Sequence, residues 1–276
     1  MLITRVGTAL VGIPILLILV WAGGVPFEIT AVLVAIQASR EAYNMFDPSD
    51  DGTPWRWLAM TGAGCVAAAS AMGSAWLVAG FAVVLVGFLM ALLFADQTVP
   101  SSRLVEGFSA CIYGALPISL LVLIRAWSTP AVAFHVGHLT TMGGQTWLLF
   151  LLTTVWSVDS GAYLVGRSIG RRLLWPSVSP KKTWEGTIAG ILLGIAVAIA
   201  WSGSLSLNVP VAAFVGLLMS IAAVFGDLTE SALKRRAHVK DASDLLPGHG
   251  GLLDRIDSLA FAAIVVFLTG NVVGVR

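Results

Sequence analysis

Nine apolar segments follow one another along this chain of 276 residues, and they restrict its fold more than any other feature. About 20 helical residues cross the hydrocarbon core of a bilayer, and most of these segments reach or approach that length. Charged residues make up 11% of the chain, against about 25% in an average soluble domain. The sequence therefore predicts an all-α polytopic membrane protein with about nine transmembrane helices. The segments cover residues 7–23, 26–43, 58–73, 75–95, 105–125, 146–165, 186–202, 210–230 and 252–274.

The distribution of Lys and Arg predicts the orientation of these helices. If nine spans start from a cytoplasmic N-terminus, only Arg125 and Arg276 of the 16 Lys and Arg residues fall outside. Basic residues normally collect in cytoplasmic loops. The charged segments 166–185 and 231–251 then meet on the cytoplasmic side. We predict an integral protein of the inner (cell) membrane, with a polar cavity in its C-terminal half and an active site that faces the cytoplasm.

No soluble domain, linker or low-complexity tract interrupts the apolar segments, so the sequence predicts one integral membrane domain, residues 1–276. Residues 1–145 would act mainly as a scaffold with lipid or dimer contacts, and residues 146–276 would carry the catalytic helices and loops. The lipid bilayer is therefore an expected partner. A nucleic acid is not expected, because the net charge is only +1 and such partners require a clear basic excess.

The residues 231–257, SALKRRAHVKDASDLLPGHGGLLDRID, concentrate charge of both signs in a chain that is otherwise poor in it. A histidine lies between glycines, in Pro247-Gly248-His249-Gly250-Gly251. Two acids, Asp254 and Asp257, lie three residues apart on the first turns of the last predicted helix. Glycines let a backbone approach a ligand closely, and carboxylates with cations suit a divalent metal and phosphates. This stretch predicts a site for both.

A second polar stretch, DSGAYLVGRSIG, begins at Asp159 at the end of the sixth predicted helix. Asp159, Tyr163 and Gly166 or Arg167 recur at spacings of about four, which places them on one side of a helix. An aspartate beside an apolar helix is costly unless it is paired or faces a polar cavity. We interpret this side as the wall of a polar cavity, although a hydrogen bond between packed helices would leave the same pattern.

A third stretch, SPKKTWEG, runs from Ser179 to the start of the seventh predicted helix. Lys181 and Lys182 at a helix start oppose the helix dipole, so an anion is expected to compensate them. Free N–H groups at a helix N-terminus together with lysines bind phosphate, whereas simple anchoring at lipid headgroups is the alternative. We favour phosphate binding. Glycines at positions 186, 190 and 194 of that helix predict a close packing face.

The eighth predicted helix carries an acid at or near membrane depth. Asp227 follows the apolar run 214–226, where an uncompensated carboxylate is expensive and a functional role is the first hypothesis. Asp227, Ser231, Lys234 and His238 recur at spacings of four, three and four, so they are predicted to line one helical face. A magnesium ion held by one or two carboxylates, waters and substrate phosphates would neutralise the acid.

These motifs resemble the signature of the phosphatidate cytidylyltransferases (CDP-diacylglycerol synthases). The resemblance covers about the C-terminal 120 residues, and the first 150 residues are similar only in hydropathy. No departure from the signature occurs within residues 231–257. The matching elements are Ser231-x-Leu233-Lys234-Arg235, Lys240-Asp241, Ser243, Leu246-Pro247, His249-Gly250-Gly251, Asp254-Arg255-Ile256-Asp257, Asp159-x-x-Ala162-Tyr163-x-x-Gly166-Arg167 and Ser179-Pro180-Lys181-Lys182-Thr183-Trp184-Glu185-Gly186.

The resemblance implies an enzyme, a nucleotidyltransferase that converts CTP and phosphatidate to CDP-diacylglycerol and pyrophosphate in phospholipid biosynthesis. It further implies Mg²⁺ on the acids that align with Asp227 and Asp254, a second, monovalent cation such as K⁺ nearby, and a homodimer. Asp257 is also expected to be a metal ligand. The residues expected to act in catalysis are Lys234, Arg235, Lys240, Asp241, His249 and Arg255. The residues expected to bind substrate are Asp159, Tyr163, Arg167, Ser179, Lys181, Lys182, Thr183, Glu185, Ser231, Gly250 and Gly251.

Three other functions compete with this interpretation. A CTP-dependent polyprenol kinase is the nearest in chemistry. A CDP-alcohol phosphotransferase would show a DGxxAR stretch, and Asp257-Ser258-Leu259 lacks its glycine and arginine. A transporter of phosphorylated solutes would show interrupted helices at corresponding positions of two halves. Here the charge is concentrated in about the last 120 residues, and the first half has no counterpart to it.

Overall fold

The computed structural model describes residues 2–47, 54–96, 100–128, 134–136, 139–141, 143–248 and 250–274. Within these residues the chain is mainly helical, and every apolar segment predicted from the sequence forms a helix. The helices are α1 (Leu2–Ala22), α2 (Gly24–Phe46), α3 (Pro54–Ser70), α4 (Ser74–Phe94), α5 (Ser102–Arg125), α6 (Gly144–Ile169), α7 (Trp184–Trp201), α8 (Val209–Arg236) and α9 (Leu253–Val272).

Six of these helices, α4 to α9, are long and apolar enough to cross a membrane, judged over the described residues. The protein is therefore an integral membrane protein. The prediction of nine spans is supported for six helices and stays a prediction for α1 to α3. For example, α3 has 17 residues, fewer than the roughly 20 that a perpendicular span requires. The sidedness of the helices also stays a prediction.

Two short antiparallel hairpins depart from the all-α prediction. Strands β1 (Phe134–Val136) and β2 (Leu139–Thr141) form the first, and strands β3 (Leu173–Trp175) and β4 (Ser179–Thr183) form the second. Trp175 pairs with Ser179, so three residues close the second hairpin. The loop predicted between α6 and α7 is thus largely a β-ribbon. A two-stranded ribbon has only edge strands, which is why Pro180 is tolerated in β4.

The chain forms two compact units. The first consists of Met1–Leu123 and Leu233–Arg255, and the second of Ile124–Ala232 and Ile256–Arg276. In the first unit the charged segment after α8 is grouped with the N-terminal helices, although the sequence offered no link between them. The predicted single domain, with its functional boundary near residue 145, stays a prediction.

The small residues of α7 form the close packing face that the sequence predicts. A Cβ atom on Gly190 would lie 2.5 Å from the carbonyl oxygen of Val158 in α6, and one on Gly186 would lie 2.5 Å from that of Ala162. These distances are too short for any side chain, so the α6 and α7 backbones touch. This contact fixes α7 and the β3–β4 hairpin that precedes it against α6.

Gly190→Ala should therefore destabilise the protein, whereas Gly87→Ala should not. Gly87 lies inside α4 with nothing within 4 Å of an added Cβ atom, which makes it a matched control. Overpacking typically costs roughly 1 to 3 kcal/mol, which corresponds to a fall of several degrees in Tm. Thermal unfolding of the detergent-purified variants measures both effects. Equal Tm values for the two variants would contradict the close α6–α7 contact.

Candidate active site

Asp254, in the first turn of α9, is the most heavily bonded acid of the predicted site. It is buried, with 8% of its surface exposed. Its Oδ2 atom accepts hydrogen bonds from the backbone N–H groups of Ala242 and Gly251, each at 2.8 Å. Its Oδ1 atom forms an ion pair with the Lys234 ammonium at the end of α8. The buried charge is thus balanced by one cation and by two donors from the loop that joins α8 to α9.

Gly250 and Gly251 let that loop pass close to carboxylates. A Cβ atom on Gly250 would lie 2.7 Å from the Asp254 Oδ2 atom, and the φ angle of +75° also disfavours any other residue. A Cβ atom on Gly251 would lie 2.6 Å from an Oε2 atom of Glu41, in α2. The two glycines were predicted to bind phosphate. Within the first unit they instead make room for acidic side chains, and phosphate binding by their backbone stays a prediction.

Four other predicted residues of the first unit lie at the surface. Arg235, Lys240, Asp241 and Arg255 are exposed, so their side chains are accessible to anionic ligands. His249 lies outside the described residues. In the described part of this loop, the Leu246 N–H donates to the Gly250 carbonyl at 2.9 Å.

His238 does not share the helical face predicted for it. Helix α8 ends at Arg236, and His238 follows with a positive φ of 57° and its N–H bonded to the Arg235 carbonyl. A left-handed residue ends the helical repeat, so the spacing argument stops at Lys234. Asp227, Ser231 and Lys234 do lie within α8.

In the second unit, Asp227 of α8 forms an ion pair with Lys182 of strand β4. About a quarter of each side chain is exposed, 26% for Asp227 and 24% for Lys182. The Ser231 hydroxyl, one turn further along α8, donates to the Asp227 Oδ1 atom at 3.3 Å. The structure therefore brings Lys182, from a separate sequence motif, to the acid and hydroxyl that were predicted to share one face of the eighth helix.

The lysines of this unit lie on a strand and not at the helix start predicted for them. Lys181 and Lys182 belong to β4, and Thr183 is the N-cap of α7. The Thr183 Oγ1 atom accepts from the Gly186 N–H at 3.2 Å. Successive strand residues point to opposite faces, which separates the exposed Lys181 from the half-buried Lys182.

Glu185 has a structural contact that its predicted role in substrate binding did not include. Its carboxylate accepts from the backbone N–H groups of Arg171 and Arg172, at 3.1 to 3.3 Å. The Trp184 N–H also donates to the Arg172 carbonyl. Glu185 therefore fixes the base of the β3–β4 hairpin to the first turn of α7, and so positions β4.

Asp159, Tyr163 and Arg167 lie on the exposed side of α6, as the spacing predicts. The Arg167 Nη1 atom donates to the Tyr163 hydroxyl at 2.8 Å, and its guanidinium also lies 6.0 Å from the centre of that ring.

Two further predicted residues lie in other elements. Ser179 is the first residue of β4 and is half-buried. Asp257 lies in α9, and its Oδ1 atom accepts from the Ser258 N–H at 2.6 Å.

Asp254 in the first unit and Asp227 in the second have carboxylate oxygens that are suitable ligands for a magnesium ion. Mg²⁺ is usually held by one or two carboxylates and completed by waters and substrate phosphates. Asp227 and Asp254 supply such oxygens, each already opposite a lysine. Among the residues that the structure describes, no group of three or more His, Cys, Asp or Glu side chains could hold a metal by itself. That the two acids share one ion stays a prediction.

Sequence reasoning missed Glu41, a fully buried acid of α2 with 1% of its surface exposed. Its Oε1 atom accepts from the Ser243 hydroxyl at 2.7 Å. Glu41 was passed over as part of the apolar segment 26–43. An acid within an apolar helix, with Gln37 one turn before it, was the signal that could have found it.

The lysines and exposed arginines of this integral membrane protein are groups that can bind phosphates and stabilise negative charge in a transition state. The model of the cytidylyltransferase family matches residues 3–273, and the chain belongs to this family. The family resemblance drawn from the motifs is thereby confirmed.

Three relatives show how far the similarity extends. A phosphatidate cytidylyltransferase of Brucella suis is 35% identical over 279 residues, which cover 98% of this chain and 93% of that protein. The phosphatidate cytidylyltransferase of Bacillus subtilis is 45% identical over 120 residues, 43% of this chain and 45% of that protein. That of Haemophilus influenzae is 43% identical over 157 residues, 52% of this chain and 54% of that protein. The match thus spans about half the length of the latter two relatives and nearly all of the first.

Proposed function

We propose that this protein is an enzyme that transfers the cytidylyl group of CTP to phosphatidate, giving CDP-diacylglycerol and pyrophosphate. The observation that carries the proposal is the similarity over 98% of the chain to a phosphatidate cytidylyltransferase. The side chains described above support it, because they suit a reaction between two anions. No observation favours a kinase or a transporter.

In this reaction an oxygen of the lipid phosphate attacks the α-phosphorus of CTP. A new P–O bond forms, the bond between the α-phosphorus and the bridging oxygen breaks, and pyrophosphate leaves with that electron pair. The attacking phosphate monoester is largely ionised near pH 7, so a strong general base is not required. The protein must instead hold two repelling anions together and neutralise their charge.

The cations of each unit are proposed to neutralise these phosphates. In the first unit, Lys234 lies against Asp254, and Arg235, Lys240 and Arg255 are exposed. In the second, Lys182 lies against Asp227 with its hairpin fixed by Glu185. Each acid holds its lysine in a defined position through the ion pair. His249 is proposed as a further hydrogen-bond donor to a phosphate.

Asp227 and Asp254 would hold the magnesium ion, with Asp257 and Asp241 nearby or on a second, monovalent cation such as K⁺. When bound, magnesium would neutralise phosphate charge and make the α-phosphorus more electrophilic. Lys182 and Lys234, which pair with these acids, would lie beside the ion and supply further positive charge to the phosphates. Magnesium, the monovalent cation and the homodimer are all proposals that rest on the family resemblance.

The active site is proposed to face the cytoplasm from the inner membrane, in a polar cavity of the C-terminal half. The acyl chains would remain in the bilayer, and only the phosphate headgroup would reach the site. The concentration of Lys and Arg in the segments predicted to be cytoplasmic supports this orientation.

Incubating the purified protein with CTP, phosphatidate and Mg²⁺ should release pyrophosphate, measured by a coupled assay. Diacylglycerol, which lacks the attacking phosphate, is the matched control and should release none. Release with diacylglycerol, or none with phosphatidate, would contradict the proposed reaction.

A further inference from the structure

Glu41 holds the loop between α8 and α9 from a distant part of the sequence. Its Oε2 atom accepts from the Leu253 N–H at 2.7 Å, and its Oε1 atom accepts from the Leu252 N–H at 3.1 Å. The Ser243 hydroxyl donates to the same Oε1 atom at 2.7 Å, and the Gln37 amide donates at 2.8 Å. Four donors thus satisfy one buried carboxylate, and three of them come from the loop and the start of α9.

This arrangement makes Glu41 an N-terminal cap of α9 that is supplied by another helix. The first N–H groups of a helix have no partner within the helix. A carboxylate there satisfies them and favours the positive end of the helix dipole. Within the first turn of α9, Leu253 bonds to Glu41, and Asp254 follows it directly. The position of Glu41 therefore sets the position of Asp254.

The carboxylates of Asp254 and Glu41 accept hydrogen bonds from the same two segments of the loop between α8 and α9. Asp254 accepts from Ala242 and Gly251, while Glu41 accepts from the adjacent Ser243 and Leu252. The Gly251 backbone passes between them, since an added Cβ atom would lie 2.6 Å from the Glu41 Oε2 atom and 3.0 Å from the Ser243 nitrogen. Moving Glu41 would displace both sides of the loop and the acid that they hold.

We infer that Glu41 is a positioning residue for the cytidylyl transfer: it fixes the loop 242–253 and, through it, the Asp254–Lys234 pair. It does not touch the substrates in this account. The inference rests on the proposed function, and it assigns part of the active site to the N-terminal half of the chain, which the sequence had treated mainly as a scaffold.

Glu41→Gln tests the inference with minimal change in volume. In glutamine, an NH2 group, which is a donor, replaces one of the two carboxylate oxygens. This NH2 group must face either the Leu253 N–H or the Leu252 N–H and the Ser243 hydroxyl, so the donors on that side lose their acceptor. We expect kcat per folded molecule to fall about ten- to a hundredfold, because a displaced loop would misplace Asp254 and Lys234 and a shift of about 1 Å can cost about a hundredfold in rate. Ser243→Ala removes one bond of the four and should lower kcat only a few-fold. Glu28→Gln, the same change in the same helix, is the control and should leave kcat within about twofold.

Amide hydrogen exchange separates positioning from general stability. Glu41→Gln should accelerate exchange in peptides covering residues 242–253, with exchange in α3 and α4 unchanged. A role in stability alone would accelerate exchange in all helices of the first unit. It would lower total activity in proportion to the unfolded fraction and leave kcat per folded molecule unchanged. That result, or a Glu41→Gln enzyme with normal kcat and normal exchange, would overturn the inference. Absence of wild-type activity would instead refute the proposed function, while the exchange result would still test the cap.

Discussion

Asp254→Asn is expected to reduce kcat by about a hundred- to a thousandfold. The carboxylate is buried and accepts from two backbone N–H groups as well as pairing with Lys234. Asparagine has one acceptor oxygen, so it satisfies either the loop or the lysine but not both. Removing one preorganised electrostatic group from an active site typically lowers kcat by about 10²- to 10³-fold.

Steady-state kinetics of the purified variant, normalised to folded protein, measure this loss. Asp244→Asn is the matched control, since Asp244 is an exposed acid of the same loop outside the predicted site; its kcat should stay within about twofold of wild type. In addition, Lys234→Met combined with Asp254→Asn should lose less activity than the product of the two single losses, because the two residues act as a pair. An Asp254→Asn enzyme with more than a third of normal kcat would refute the role assigned to this acid.

Asp227→Asn is expected to lower kcat by roughly a hundredfold or more, the typical effect of removing one preorganised electrostatic group. Asp227 faces Lys182 and the Ser231 hydroxyl in the second unit. With the carboxylate neutralised, Lys182 loses its counter-charge and the predicted metal loses a ligand. The Mg²⁺ concentration that gives half-maximal activity should therefore rise together with the fall in kcat.

Lys182 variants separate charge from shape at the same pair. Lys182→Met removes the cation and should raise the KM for CTP about tenfold, the usual contribution of one charge-assisted hydrogen bond. Lys182→Arg retains the charge with a different geometry and should keep more activity than Lys182→Met. Equal kinetics for the Met and wild-type enzymes would show that Lys182 binds no phosphate of CTP.

The helices were predictable because hydropathy is a local property. Each apolar segment became a helix, and α9 begins at Leu253, one residue from the predicted bound of 252. The β3–β4 hairpin was not predictable in the same way. Its strands are short, and β4 reads Ser-Pro-Lys-Lys-Thr, which has neither an apolar alternation nor a favourable strand composition. Pairing with β3, and not the local sequence, makes it a strand.

The site was predictable in its residue types but not in its pairings. Motif spacing along α8 and α9 indicated that Asp227 and Asp254 mattered, because an acid beside an apolar segment needs compensation. Which lysine compensates each acid depends on tertiary structure. Lys234 lies 20 residues before Asp254 in sequence, and a loop must fold back to join them.

Glu41 is the clearest example of a site residue whose role could not be predicted from the sequence. Its bonds to Ser243 and Leu253 join residues 202 and 212 positions apart, and no periodicity in one helix reveals such a partner. The sequence showed only an acid in an apolar helix. The burial of its side chain and the number of its donors give it a role, and both are properties of the folded first unit.

The most direct test of the account is the fate of the phosphorus atoms of CTP. In the presence of phosphatidate and Mg²⁺, label in the α-phosphate should appear in the lipid product, and label in the γ-phosphate should appear only in pyrophosphate. Thin-layer separation of lipid from aqueous products measures both. Transfer of the γ-label to lipid would identify a CTP-dependent kinase, and would contradict the cytidylyl transfer on which the assignment of both lysine–carboxylate pairs depends.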